Sequence, residues 1–225
     1  MTTAGALKLT TPGERELVMT RSFDAPRQLV FDAHTKPDLV RRWLLGPPGW
    51  SMPVCEIDLR VGGKYRYVWQ HDGDGTKMGM GGVYREIKAP ERIVNTEKFD
   101  EAWYPGEALG TLVLVEQGGK TTLTYTMRYE SRAARDAVIK SNMESGVAAS
   151  YDRLAELFAS TRARGRARTA RARFPLPLRA VGGAASAPWS RGSLWCSSSP
   201  SAPIRYCMSS RSTRDGVSRW PVRCT

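Results

Sequence analysis

Lysine disappears from the last 65 residues of this chain, and acids nearly do. Residues 161–225 hold thirteen arginines, eleven serines, no lysine and one acid, Asp215. The net charge of +12 sits entirely there, because residues 1–160 balance 21 basic against 21 acidic side chains. The basicity of the whole chain therefore says little about the task of its first part. Residues 1–160 have a neutral globular composition and the size of one domain.

Cysteine and histidine are scarce as well. Of the four cysteines, only Cys55 lies before residue 160. That excludes a disulfide framework for the domain and points to a reducing, cytoplasmic setting. Cys196, Cys207 and Cys224 have no short paired spacing with histidine, so no metal or cofactor is expected. The two histidines, His34 and His71, belong to no H-x-E or H-x-x-x-H pattern and read as surface or loop residues. No G-x-S-x-G surrounds a serine, and no catalytic residue is assigned. Cys55 shares a strand with Ile57 and reads as a buried, inert thiol. The first eighteen residues lack the apolar core of a signal peptide. No apolar run approaches the ~20 residues that span a bilayer, so no membrane partner is expected.

What is present begins after thirteen residues that read as a disordered N-terminus. "ERELVMTRSF" (14–23) is a strand. "DAPRQLVFDAHT" and "TKPDLVRRWLLG" follow as two short helices, with Asp24 and Thr35 as caps and Gly46 as the second stop. "MPVCEIDLRV", "KYRYVWQ", "VYREIKAPERIVNTEKF", "GTLVLVEQ" and "TTLTYTMRYE" carry strand signals separated by turn residues. About six or seven antiparallel strands result. "HDGDGTKMGMGG" reads as a turn. It fails as a calcium loop, since Lys77 occupies the required glycine position and Val83 the place of the glutamate. It also lacks the phosphate-loop pattern.

"SRAARDAVIKSNMESGVAASYDRLAELFAS" closes the domain as one long helix, capped by Ser131, with Ile139, Met143, Val147, Ser150, Leu154 and Phe158 at helical spacing. One long helix touches a curved sheet mainly along a line. A cavity between helix and sheet is the expected consequence.

The pieces "WLLGPPGW", "DLRVGGKYRYVW", "GGVYREIKAPERIVNTEKF" and "NMESGVAASYDRLAELF", in this order, resemble the START-like superfamily. More closely, they are similar to its bacterial branch related to the C-terminal domain of the activator of Hsp90 ATPase. The resemblance covers residues 14–160. It implies an α+β helix-grip fold, a curved antiparallel sheet wrapped on a long C-terminal helix, and a cup that holds a ligand.

Expected cup residues are Tyr65, Tyr67 and Trp69 on one strand face, Glu97 and Phe99 on another, Tyr125 and Met127 on the last strand, and Met143 and Val147 on the helix. Trp103, on a loop, stands at the entrance. For the aromatic stripe, ordinary core packing is the competing reading. For Glu97 it is an ion pair with Arg60, Arg85 or Arg128. Three functions stay open: non-catalytic binding of a small hydrophobic or amphipathic ligand, a polyketide-cyclase-like or hydrolase-like enzyme, and a co-regulator of an Hsp90-type chaperone, with a stress response implied. A homodimer is a further partner reading.

Residues 161–225 show no sustained apolar periodicity and read as a disordered tail. Arginine without lysine, with Ser, Ala, Pro, Cys and Trp, is what GC-rich DNA yields in an unselected frame. Frameshift or read-through beyond Ser160 is one origin. An arginine-rich arm binding nucleic acid non-specifically is the other.

Overall fold

Strict alternation in Lys64–His71, with Tyr65, Tyr67 and Trp69 buried and their neighbours less so, sets the pattern of the structure, a computed structural model. It describes residues 5–101 and 104–173, with side chains as far as residue 164. The elements are β1 (Lys8–Thr10), β2 (Glu16–Phe23), α1 (Arg27–Thr35), α2 (Pro37–Trp43), β3 (Trp50–Ile57), β4 (Lys64–His71), β5 (Lys77–Lys88), β6 (Arg92–Phe99), β7 (Ala108–Gln117), β8 (Lys120–Arg128), α3 (Arg132–Lys140) and α4 (Met143–Arg173).

The strands form one eight-stranded antiparallel sheet in the order β1-β2-β8-β7-β6-β5-β4-β3. From β3 to β8 the chain is a meander. The early strand β2 pairs with the last one, so α1 and α2 must carry the chain across the sheet from one side to the other. α1 packs against β7 and β8, and α2 against β3 and α4. Gly118 and Gly119, both at positive φ, make the two-residue turn between β7 and β8, a conformation in which glycine carries no steric cost.

Several expectations need correction. The N-terminal segment is not wholly irregular, since Lys8–Thr10 pairs with β2 as an eighth strand. Neither Asp24 nor Thr35 occupies an N-cap position; these fall at Pro26 for α1 and Lys36 for α2. Pro26 precedes α1, whose first N–H, from Arg27, is accepted by Glu116 on β7 at 2.8 Å. The hydroxyl of Thr35 donates back to the Phe31 carbonyl at 2.9 Å, and α2 ends at Trp43 rather than Gly46. The supposed turn at 71–82 is mostly strand, for β5 begins at Lys77.

The closing helix is two helices, broken where Asn142 takes a left-handed φ of 58°. Ser131 caps the first as expected, accepting from the Ala134 N–H at 3.1 Å. The break changes the helical phase, so Ile139 faces outward while Ala134, Arg135 and Val138 turn inward. In α4 the stripe is Gly146, Ser150, Tyr151, Leu154 and Phe158, all buried. Each large apolar member contributes about 1.5–3 kcal/mol on burial. The helix continues to Arg173, past the boundary read at Ser160. Residues 161–173 are therefore helical rather than disordered. The tail from 174 onward lies outside the described residues.

Candidate functional site

The register fixes which side chains share the face beneath α4. Pairing of Tyr67 with Met80 and of Met80 with Phe99 runs across β4, β5 and β6. Glu97 pairs with Ala108, Leu112 with Tyr125, and Tyr125 with Met19. One face thus carries Tyr65, Tyr67, Trp69, Ile93, Asn95, Glu97, Phe99, Leu123, Tyr125 and Met127. Arg21, between Met19 and Phe23, is on it too.

Two apolar clusters lie on this face. The larger holds Phe23, Val30, Trp43, Tyr65, Tyr67, Trp69, Leu154 and Phe158, among others. The smaller holds Leu17, Met19, Tyr104, Met127, Tyr129 and Val138. Phe99, Tyr125 and Val147 are half-buried and pack against both clusters, and half-buried Met143 packs against the smaller. The seam is the strip where the two clusters meet, bridged by Phe99, Tyr125 and Val147.

The expected cup residues divide accordingly. Tyr65, Tyr67 and Trp69 are only 5%, 7% and 6% exposed. Their rings follow one another at 5.2 and 6.0 Å, and the indole N–H of Trp69 donates to the Leu44 carbonyl at 2.6 Å. Met127 is buried as well. Glu97, Phe99, Tyr125, Met143 and Val147 are half-buried, and the last four pack against one or both clusters. Trp103 lies outside the described residues.

Glu97 is the distinctive member. Among the described residues it makes no hydrogen bond and no ion pair, and the expected arginine partner is absent. Arg60 binds Asp58 instead, at 2.9 Å, and Arg128 lines an outer groove. The Glu97 carboxyl lies deep in the protein, and burial pushes its pKa up to about 7. Part of the residue nevertheless remains accessible. Its charge bears on four tyrosines, Tyr65, Tyr104, Tyr125 and Tyr129, whose own pKa values are pushed up by burial first and by Glu97 next.

Two glycines seat these rings. A Cβ on Gly82 would stand 1.8 Å from the Thr96 carbonyl oxygen and 3.0 Å from the Tyr65 ring. One on Gly110 would stand 2.3 Å from the Tyr125 hydroxyl. The sequence pattern does not single out either glycine, nor Arg21 or Asn95, and the loop aromatic Tyr104 is buried rather than exposed. The alternation of Asn95 with Ile93 and Glu97 was the signal that could have found it. Arg21 also alternates with Met19 and Phe23, but an arginine in such a pattern reads as a strand end.

Several buried polar groups nearby have partners, although Arg21 Nε is buried without a hydrogen bond. Tyr65 donates to the Thr96 carbonyl at 2.7 Å and accepts from Asn95 at 2.9 Å, while Asn95 also donates to Thr96 at 3.2 Å. Arg21 donates to Asp152 at 2.7 Å.

His34 is not a surface residue. Its ring packs 4.8 Å from Trp43, and Nδ1 donates to the Val30 carbonyl at 2.8 Å. Nε2 is buried without a partner, and desolvation depresses the pKa to about 4. Cys55 is buried as expected, with its thiol pushed up to about 11 by desolvation. Two shallow depressions lie on the outer surface. The larger, about 330 Å³, is bounded by Arg15, Glu107, Leu109, Arg128 and Glu130. Among the described residues no group of three or more His, Cys, Asp or Glu is placed to hold a metal. No described helix is long and apolar enough to cross a membrane.

A curved antiparallel sheet covered by one long helix, with two short helices after an early strand, is the helix-grip fold of the START-like superfamily. Within it, the chain belongs to the family described as Activator of Hsp90 ATPase homolog 1-like protein, whose model matches residues 24–159. A crystal structure from Rhodobacter sphaeroides is 30% identical, covering 69% of this chain and 99% of its own, with a TM-score of 0.65. One from Chromobacterium violaceum is 29% identical over 65% and 98%, at 0.58. A solution structure from Staphylococcus epidermidis is 26% identical over 67% and 93%, at 0.59. A search of curated proteins found no match.

Proposed function

We propose that this domain binds one small apolar or amphipathic molecule between the sheet and α4 and does not transform it. Glu97 carries the reading. An unpaired carboxyl on an otherwise apolar face is costly in a filled core. It fits a site where apolar walls surround a few polar groups that a ligand completes. A side chain that lies deep yet keeps accessible surface borders a gap in the packing. Phe99, Tyr125, Met143 and Val147 supply the walls of that gap.

Native mass spectrometry of the gently purified full chain should reveal an added small-molecule mass. An apolar fluorescent probe should bind it at one site. If neither occurs, the reading falls. If the bound molecule is converted to product, a cyclase-like or hydrolase-like activity replaces it.

The family description supports a second reading, co-regulation of an Hsp90-type chaperone. It requires a measurable complex with the chaperone and a changed ATPase rate, and it would use the outer surface rather than the seam.

A further inference from the structure

Among the described residues no hydrogen bond or ion pair reaches the Glu97 carboxyl, which carries negative charge above its pKa near 7. Arg21, the guanidinium on the same face, is bound to Asp152. The Tyr65 hydroxyl proton goes to Thr96, and the Asn95 amide donates to Tyr65 and Thr96. The positions contributed by α4, Met143 and Val147, are apolar. Around the carboxyl stand phenol rings from β4, from the segment before β7 and from β8 with the residue that follows it. Tyr104 and Tyr129 meet edge to face at 5.3 Å.

This surrounding discriminates by charge. A carboxylate-bearing ligand would meet a like charge without a free cation to offset it. A neutral hydroxyl would gain one hydrogen bond. An organic cation would gain the full Coulomb attraction of a weakly screened carboxylate. The half-buried Tyr125 ring adds an aromatic wall that tolerates positive charge. Resting on the reading that the seam holds a ligand, we infer that its polar end is a cation, an ammonium group on an apolar body, received by Glu97 beside the half-buried ring of Tyr125.

The preference depends on ionised Glu97. The facing groups are Tyr65 on β4, Tyr104 before β7, Tyr125 on β8 and Tyr129 just after it. All four phenols are pushed above their ordinary range and remain neutral between pH 6 and 8. Glu97, with its pKa near 7, therefore sets the slope. A quaternary ammonium does not titrate, so its affinity should rise about tenfold from pH 6 to 8.

The experiment is displacement of a bound apolar probe from the full chain by octyltrimethylammonium, 1-octanol and octanoate, each below its aggregation concentration. At pH 8 the ammonium should displace at about tenfold lower concentration than either competitor. Its advantage should shrink toward pH 6 and vanish in Glu97→Gln while the probe still binds. Should octanol or octanoate match the ammonium in the unmutated chain, the cation is wrong and the seam remains a binding site. A pH-independent ammonium preference, or one that survives Glu97→Gln, would remove Glu97 from its role. Absence of probe binding in the unmutated chain sinks the binding site itself and this inference with it. The three-compound comparison needs no variant, so a misfolded Glu97→Gln would not rescue the claim.

Discussion

Arg21 on β2 donates to Asp152 on α4 at 2.7 Å, tying the sheet to the helix that covers it. The arginine is 5% exposed and the aspartate 66%. The guanidinium also lies 5.6 Å from the centre of the Phe23 ring. This ion pair joins a sheet strand to α4, and it stands beside the apolar stripe of Leu154 and Phe158.

Loss of Asp152 leaves a buried guanidinium without its counter-charge. Because Asp152 itself is open to water, the cost is well below that of a fully buried pair. Asp152→Asn should lower stability by on the order of 1–2 kcal/mol. Arg21→Met, which keeps the stem and removes the charge, should cost no more. Urea unfolding midpoints decide this, and an unchanged midpoint in Asp152→Asn would show that the pair contributes nothing.

Glu97 makes stability fall as pH rises. Its folded pKa of about 7 lies above the ordinary 4.5, so between those values the unfolded chain gives up its proton first. The stabilisation is complete below pH 4.5 and is lost as pH climbs through 7. The full swing is about 3 kcal/mol. Glu97→Gln should therefore be about that much more favourable, relative to the parent, at pH 8 than at pH 4. Denaturant unfolding across this range tests it. A constant difference would place the carboxyl in water.

His34 acts in the other direction. Its pKa falls from 6.5 to about 4 on folding. With Nδ1–H already given to Val30, a proton on Nε2 would have no acceptor in the buried site. Between pH 6.5 and 4 the unfolded chain takes up the proton first, and stability declines with falling pH by about 3 kcal/mol. His34→Leu should flatten this acid limb, at a baseline cost of roughly 1 kcal/mol for the lost hydrogen bond. A limb equally steep in the variant would assign acid sensitivity elsewhere. Between pH 4.5 and 6.5 the Glu97 and His34 slopes oppose each other, so the variants reveal what the parent conceals.

Of the two readings open for Tyr67, cup wall and ordinary core, the second fits its burial. The structure packs it between Tyr65 and Trp69, 7% exposed. Tyr67→Ala should then cost about 3–5 kcal/mol, as core truncations do, close to Leu154→Ala. Tyr125→Ala, on the half-buried seam, should cost clearly less and weaken apolar-probe binding more. Equal costs at Tyr67 and Tyr125 would mean that the seam is filled core.

The helical boundary is testable by truncation. Arg162 hydrogen-bonds to the Asp24 carbonyl and approaches its carboxylate, and it is half exposed. A chain ending at Ser160 should lose less than about 1 kcal/mol, and one ending at Arg173 should melt like the full chain. A loss of several degrees in the Arg173 chain would show that residues 174–225 stabilise the domain. Removing 161–225 should also abolish retention on DNA at low salt, since residues 1–160 carry no net charge.

The sequence by itself determined the order of elements, the helix-grip class and the sides on which most side chains fall. Alternation at 64–70 and 121–129 and the helical spacing of Leu154 and Phe158 are local properties, readable without partners. It also placed Glu97 beside Ile93 and Phe99. Only tertiary structure decided which of these residues are sealed and which border the seam. Tyr65 and Tyr125 have the same chemistry and the same strand period. Their burial differs because cross-strand neighbours and the path of α4 set it. Residues 77–82 read as a turn because glycine is poor in strands, yet the missing Cβ of Gly82 is what lets β6 approach Tyr65. His34 looked like a loop residue until α2 folded back and laid Trp43 on it. The pairing that left Glu97 alone is likewise invisible in one dimension, because the arginines that could have answered it were drawn to other partners or other faces by the register of the sheet.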